Sequence, residues 1–395
     1  MARIGIFGGS FNPPHLGHVL AVKEFQKKLE LDRVLVIPAA VPPHKILTSN
    51  SPGAMQRLEL TRLAFADLPF VEVSDMELQR EGTSYTADTV EQLSARYPGD
   101  ELYLLMGTDM FLSLESWYQP ERIAQRATIA VAYRDGDRKG LTACANALQE
   151  HLNAKIVLLE NDFLPYSSTS VRAMLAFGCG ADYIPAAVFD EICKNKLYYV
   201  GWDLKNLPFT ELSKISLSLH KKQRIAHVVG CSQTARALAR QYGVDEAAAE
   251  RAGILHDITK ALSAQEQLKL CENYAMILDK FERENPKLLH AKTGATIAKV
   301  LFGESEEIYR AIYWHTTGRA NMSTMEKIIY LADFMEPNRN FEGVEKLRTL
   351  TYRNLDEAMH YGLSMTIAQL RERGSSLDRN SLAALRFFEE RMQAE

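Results

Sequence analysis

Paired cysteines, long apolar runs and a surplus of one charge are all missing from this 395-residue chain. Its five cysteines, Cys144, Cys179, Cys193, Cys231 and Cys271, are odd in number and widely spaced. No CxxC pair occurs, which excludes a zinc ribbon and a disulfide framework and fits a reduced compartment. No apolar run approaches the ~20 residues needed to cross a bilayer. The opening Met-Ala-Arg-Ile-Gly-Ile-Phe-Gly-Gly reads as a first strand, not as a signal peptide. A cytoplasmic protein without a membrane partner is the expectation. Lys and Arg number 46 against 50 Asp and Glu, mixed along the chain, for a net charge of −4. Without a basic tract to displace counterions from phosphates, nucleic acid is not expected as a partner. Small anionic ligands need only a few local donors and stay open. Only 22 Gly and 14 Pro occur, so disorder and low-complexity arrays are excluded. A GxGxxG dinucleotide loop is also missing.

What is present falls into two halves. Short β-branched runs at Ile4–Phe7, Arg33–Ile37, Val71–Val73, Glu101–Leu105, Thr128–Tyr133 and Lys155–Leu159 alternate with helical patterns. Those patterns cover Leu16–Leu29, Ala54–Phe65, Thr86–Arg96 and Leu141–Leu152. Leu102–Met106 and Ile129–Ala132 are apolar throughout, as strands covered on both faces are. The expectation is a doubly wound, Rossmann-like α/β domain with a parallel sheet over residues 1–200. A connector with Gly201 and Pro208 follows, and beyond it the helical period dominates. Ile225–Tyr242, Glu246–Ile258, Ser263–Asn273, Thr293–Phe302 and Met325–Phe334 predict an all-α bundle over residues 210–395. No internal repeat relates the halves.

Directly after the first strand comes Gly8-Gly9-Ser10-Phe11-Asn12-Pro13-Pro14-His15-Leu16-Gly17-His18. The glycines allow a tight turn and close approach of backbone to a ligand. His15 and His18, three residues apart, are placed on one face of a first helical turn. A helix N-terminus already favours an anion, and two imidazoles add donors for phosphate oxygens. Late in the half, Ser167-Ser168-Thr169-Ser170-Val171-Arg172 opens another helix with capping hydroxyls and a cation one turn in.

Together these segments resemble the HxGH nucleotidyltransferase superfamily, and within it the bacterial nicotinate-mononucleotide adenylyltransferases. The resemblance implies ATP with Mg²⁺ and nicotinate mononucleotide as ligands. ATP would meet Gly8, Gly9, Ser10, Phe11, Ser168 and Thr169; His15, His18, Lys45 and Arg172 would carry the chemistry. Lys45 belongs to Pro42-Pro43-His44-Lys45, which looks like that family's PPHK segment and is otherwise an ordinary loop lysine. Thr86, Gly107, Asp109, Trp117 and Tyr118 fall in segments resembling the acceptor site, with Trp117 stacking on the pyridine ring. On physical grounds alone Trp117 is equally a half-buried core aromatic. The implied reaction is direct transfer without a covalent intermediate. Phosphopantetheine and glycerol 3-phosphate are rival acceptors.

The helical half carries His227, His256-Asp257, His290, His315 and Asp333. Asp257 and Asp333 each end an apolar run, where a carboxylate must be paired or bound to a metal. Carboxylates and imidazoles on separate helices meet readily in a bundle core. The series resembles the HD-domain metal phosphohydrolases. Arg224-Ile225-Ala226-His227, His256-Asp257-Ile258-Thr259-Lys260, His315-Thr316-Thr317-Gly318 and Leu331-Ala332-Asp333-Phe334-Met335-Glu336-Pro337-Asn338-Arg339 narrow it further. They look like the bacterial enzymes that split diadenosine tetraphosphate symmetrically into two ADP. Ala291-Lys292, after His290, departs from that pattern and bears on the mouth of the site. The six residues would hold two Fe or Mn ions, with Asp257 as bridge. Arg224, Lys260 and Arg339 are candidate phosphate contacts, or else solvated surface cations. Another nucleotide phosphohydrolase and a nucleotide-sensing module are the rival readings. An oligomer is compatible with the sequence.

Overall fold

The computed structural model describes residues 1–43, 51–133, 138–161 and 166–394. Its contacts divide the chain into two compact units, Met1–Gly201 and Trp202–Glu395.

Six strands form the sheet of the first unit: β1 (Arg3–Gly9), β2 (Arg33–Pro38), β3 (Val71–Val73), β4 (Glu101–Gly107), β5 (Thr128–Tyr133) and β6 (Ile156–Glu160). Their order is β3-β2-β1-β4-β5-β6, and every neighbouring pair is parallel. This is the doubly wound α/β sheet that the alternating runs predict. Parallel neighbours need helical crossovers, which the helices Leu16–Leu29, Ala54–Phe65 and Thr86–Arg96 supply. Ile4, Ile6, Leu35, Ile37, Leu104, Met106, Ile129 and Val131 line one continuous core. Each such side chain, fully buried, contributes on the order of 1.5–3 kcal/mol. The chain winds away from β1 in one direction to β2 and β3, and in the other to β4, β5 and β6. The crevice outside the carboxyl ends of β1 and β4 is therefore the switch point where such sheets bind ligands.

The second unit is helical. Ile225–Tyr242 packs against Glu246–Leu255 and Thr324–Met335, and Leu289–Val300 packs against Glu306–Tyr313. One close approach sets the geometry that follows: a Cβ on Gly253 would lie 2.6 Å from the Cα of Ser232. Only glycine lets the end of Glu246–Leu255 rest on the backbone of Ile225–Tyr242. Among the described residues no helix is long and apolar enough to cross a membrane.

Candidate functional sites in the two units

A cavity of about 280 Å³ opens at the switch point of the first unit. Of the residues singled out in the sequence, Gly8, Gly9, Ser10, His18, Thr86, Gly107, Trp117 and Ser168 line it. Gly8 and Gly9 close β1, and His15 is the N-cap of Leu16–Leu29. The His15 backbone N–H donates to Nδ1 of His18 over 3.2 Å. That nitrogen is an acceptor, so the ring's proton sits on Nε2, as a donor toward a ligand requires. The two imidazoles lie face to face, with ring centroids 3.7 Å apart. Phe11 is buried and meets the His18 ring edge-on at 5.1 Å, so it shapes the loop from behind.

Arg172 does not face the cavity as a free cation. Its guanidinium donates to the Asn12 carbonyl at 2.8 Å and to Thr169 Oγ1 at 3.3 Å, and burial lowers its pKa. Ser167 caps that helix by accepting from Ser170 N at 3.1 Å. Asp109 and Tyr118 are exposed, and Tyr118 stacks on Tyr85 at 4.3 Å. Trp117 is half-buried, with Nε1 donating to Ser113 Oγ at 3.1 Å. Lys45 lies outside the described residues.

Two functional-looking residues of this unit carried no sequence signal. Arg57 is wholly buried and donates to the carbonyls of Ser10 (2.7 Å) and Ala40 (3.1 Å). With Arg172 it places two guanidinium groups behind the Gly8–Asn12 loop, both bonded to backbone carbonyls. Positive charge behind the loop favours an anion on its other face. Glu77 is a buried carboxylate lining the cavity. It accepts from Thr89 Oγ1 at 2.6 Å, and burial pushes its pKa up.

In the second unit the structure brings all six sequence-derived candidates together. Nε2 of His227 lies 3.4 Å from Nε2 of His256 and 3.1 Å from Asp333 Oδ1. Nε2 of His290 lies 3.2 Å from Nε2 of His315 and 3.3 Å from Asp257 Oδ1. Asp257 turns its other oxygen, Oδ2, to His256 at 3.5 Å and His227 at 3.8 Å. The ligating atoms of His227, His256 and Asp333 lie within 4.8 Å of one another, as do those of His256, Asp257 and His315. His256 and Asp257 were expected inside a helix reaching Ile258. The helix instead stops at Leu255, and Nδ1 of His256 turns back to the Gly253 carbonyl at 2.7 Å.

That bond is one of three alike. His290 Nδ1 meets the Lys287 carbonyl at 2.7 Å, and His315 Nδ1 meets that of Ile312 at 2.6 Å. A carbonyl only accepts, so Nδ1 carries the proton and Nε2 offers a lone pair to the centre. The Nε2 atoms face one another at 3.2 and 3.4 Å, that of His290 being also reached by Lys260 Nζ, and buried Asp257 Oδ1 has no hydrogen-bond partner. A divalent cation satisfies all of these groups at once, so the donor set fits one. Behind His290, Thr259, Thr293 and Gln267 form a buried hydrogen-bonded group, with Thr259 Oγ1 donating to the His290 carbonyl at 3.0 Å.

Burial opposes ionisation of Asp257 and Asp333, yet the neighbouring imidazoles hold both carboxyls well below the usual range. Against its own burial, Cys231 and Asp257 hold the His256 imidazole well above its ordinary value, so without a cation His256 takes up a proton in its place. Burial pushes His290 down to about 3 and lowers Lys260. Arg224 Nε donates to Asp257 Oδ2 at 2.7 Å, Arg339 to Asp333 Oδ1 at 2.6 Å, and Lys260 Nζ to His290 Nε2 at 2.9 Å. All three candidate phosphate contacts therefore stand against the cluster. Glu336, not singled out in the sequence, is buried and hydrogen-bonded to His227.

Comparison with known proteins gives each unit a relationship. Residues 6–174 match the cytidylyltransferase-like family, and residues 224–338 match the HD domain. A probable nicotinate-nucleotide adenylyltransferase of Carboxydothermus hydrogenoformans is 37% identical over 199 residues, covering 50% of this chain and 98% of the relative. Another, from Geotalea daltonii, is 34% identical over 215 residues, covering 50% of this chain and 99% of the relative. The crystal structure of a predicted HD superfamily hydrolase involved in NAD metabolism, from Clostridium acetobutylicum, shares 33% identity. It covers 47% of this chain and 98% of its own, with a TM-score of 0.46. Through its N-terminal half the chain belongs to the nicotinate-nucleotide adenylyltransferase family, and its C-terminal half carries an HD domain.

Proposed function

We propose that the chain is a bifunctional enzyme. Its N-terminal unit transfers the adenylyl group of ATP to nicotinate mononucleotide, releasing pyrophosphate and forming nicotinate adenine dinucleotide. The supporting observation is the switch-point cavity, where the His18 Nε2 donor, the Gly8–Ser10 backbone and the acceptor residues Thr86, Gly107 and Trp117 share one wall. An oxygen of the acceptor's 5′-phosphate bonds the α-phosphorus in line, while the bond to the β-phosphate oxygen breaks. No protein nucleophile is needed. His15 and His18, with Lys45, stabilise charge on the phosphates, and Mg²⁺ arrives with ATP. Arg172 acts by holding the Gly8–Asn12 loop through the Asn12 carbonyl.

The C-terminal unit, on this reading, hydrolyses diadenosine tetraphosphate symmetrically to two ADP. Its support is the six-residue cluster with Asp257 facing both halves. His227, His256, Asp257, His290, His315 and Asp333 would hold two divalent ions, Fe or Mn. Bound there, such ions supply an activated water and neutralise polyphosphate charge. Arg224, Lys260 and Arg339 orient the phosphate chain beside them.

The test gives the intact protein both substrate sets, with Fe²⁺ or Mn²⁺ present, and resolves products by ion exchange. Nicotinate adenine dinucleotide should form, with kcat reduced roughly 10²–10³-fold in His18→Ala and ATP affinity little changed. Diadenosine tetraphosphate should give ADP alone, and none in His256→Ala. ATP plus AMP keeps a hydrolase but rejects symmetric cleavage. No turnover of the tetraphosphate assigns the HD domain to another phosphate ester or to nucleotide sensing.

A further inference from the structure

Three of the four clustered histidines are oriented by one device, a bond from Nδ1 to the backbone carbonyl three residues earlier. His227 is the exception. Its Nδ1 meets Oε1 of Glu336 at 3.1 Å, with both side chains buried. The other carboxylate oxygen accepts from the backbone N–H of Asn338 and from its Nδ2, both at 2.8 Å. Asn338 Nδ2 also reaches the Ala226 carbonyl at 3.1 Å, tying the pair to the turn that carries His227. Arg348 donates to the backbone carbonyls of Met335, Glu336 and Arg339 at 2.9 Å, which fixes the segment bearing the carboxylate. Space for Glu336 exists because residue 230 is glycine: a Cβ there would clash with Oε2.

A carboxylate polarises an imidazole more than a carbonyl does, and so strengthens the donor at Nε2. Three cations stand against the cluster, Arg339 at Asp333, Arg224 at Asp257 and Lys260 at His290. Glu336 is the buried carboxylate that reaches a clustered histidine from outside the six, and it does so at His227.

We propose that Glu336 is a positioning residue that makes the two halves of the cluster unequal, so that the half built on His227, His256 and Asp333 holds its divalent ion more tightly than the half built on Asp257, His290 and His315. This rests on the metal-binding reading of the HD domain given above.

The test is a calorimetric titration of the full-length, metal-stripped protein with Mn²⁺, followed in parallel by electron paramagnetic resonance. Wild type should bind two ions in two resolved stages. Glu336→Gln, which keeps the shape and removes the charge, should weaken the tighter stage by about 10–100-fold and leave the other within about 2-fold. Glu336→Asp, which keeps the charge, should recover part of the loss. Gly230→Ala displaces the carboxylate without altering its charge and should shift the same stage, so the inference does not depend on one variant's folding. Two stages unchanged by Glu336→Gln, two stages weakened alike, or two equal sites in wild type overturn the proposal and leave the metal reading standing. No Mn²⁺ bound by wild type overturns both.

Discussion

The two sites are electrostatic opposites. In the first unit the chain collects donors: backbone N–H groups at a helix start, the Nε2–H of His18, and two buried guanidinium groups behind the loop. In the second it collects acceptors: imidazole nitrogens and carboxylate oxygens converging on one point. One arrangement suits an anion and the other suits cations. In both, what faces the ligand is set by the group behind it. Carbonyls bonded by Arg57 and Arg172 hold the Gly8–Asn12 loop, and carbonyls bonded by Nδ1 hold three histidines. Because the groups behind the two sites are separate, the sites should fail separately.

The largest effect that could break this contrast is at Asp257, which faces both halves of the HD cluster. Asp257→Asn keeps the volume and removes the one carboxylate shared by all four histidines. Hydrolysis of diadenosine tetraphosphate should fall by at least about 10³-fold, roughly 4 kcal/mol of barrier. Adenylyl transfer, measured on the same preparation, should stay at its wild-type rate. A matching fall in transfer would mean that the two sites are coupled.

Arg57 sharpens the other side of the comparison. Replacing it with leucine leaves the partly buried Ser10 and Ala40 carbonyls without this partner, at no more than about 1–3 kcal/mol each. The calorimetric transition of the first unit should move down, and kcat for transfer should fall because the loop before His15 loses its support. Lysine should recover little, since it cannot span two carbonyls as the guanidinium fork does. An unchanged melting profile would show that the loop is held by its other bonds alone.

What was legible in the sequence follows the same division between facing groups and backing groups. Strand runs and helical periods are local, so Leu16–Leu29, Ala54–Phe65, Thr86–Arg96 and Ile225–Tyr242 were readable to the residue. The six clustered residues were readable because carboxylates and histidines beside apolar runs are expensive unless used. Backing groups leave weaker marks. A bond from Nδ1 to a carbonyl three residues back uses an atom that every residue has, so it has no sequence signature. The helix also ends before His256, where the period alone carried on to Ile258. Arg57 lies on the amphipathic pattern of an ordinary helix, and only its complete burial sets it apart. Glu336 stands inside the quoted Met335-Glu336-Pro337 string, yet a glutamate there reads as surface until the fold turns it onto His227.

The smallest effect concerns Glu77, the one acidic side chain among the described residues that line the donor-rich cavity. Burial raises its pKa, against the opposing hydrogen bond from Thr89. Below its ordinary value of 4.5 the carboxyl is neutral in both folded and unfolded chains and costs nothing. As pH rises, the unfolded chain loses the proton first, so the first unit loses stability until the folded carboxyl also ionises. Glu77→Gln should therefore melt higher than wild type at pH 7, by no more than about 2–4 °C, the equivalent of ~1 kcal/mol in a unit of this size. The difference should vanish below pH 4.5. A group kept at a cost to stability in a ligand cavity is there for the ligand, so the same variant should raise KM for the acceptor. If it melts lower at pH 7, the bond to Thr89 outweighs the buried charge, and Glu77 belongs with the framework and not with the site.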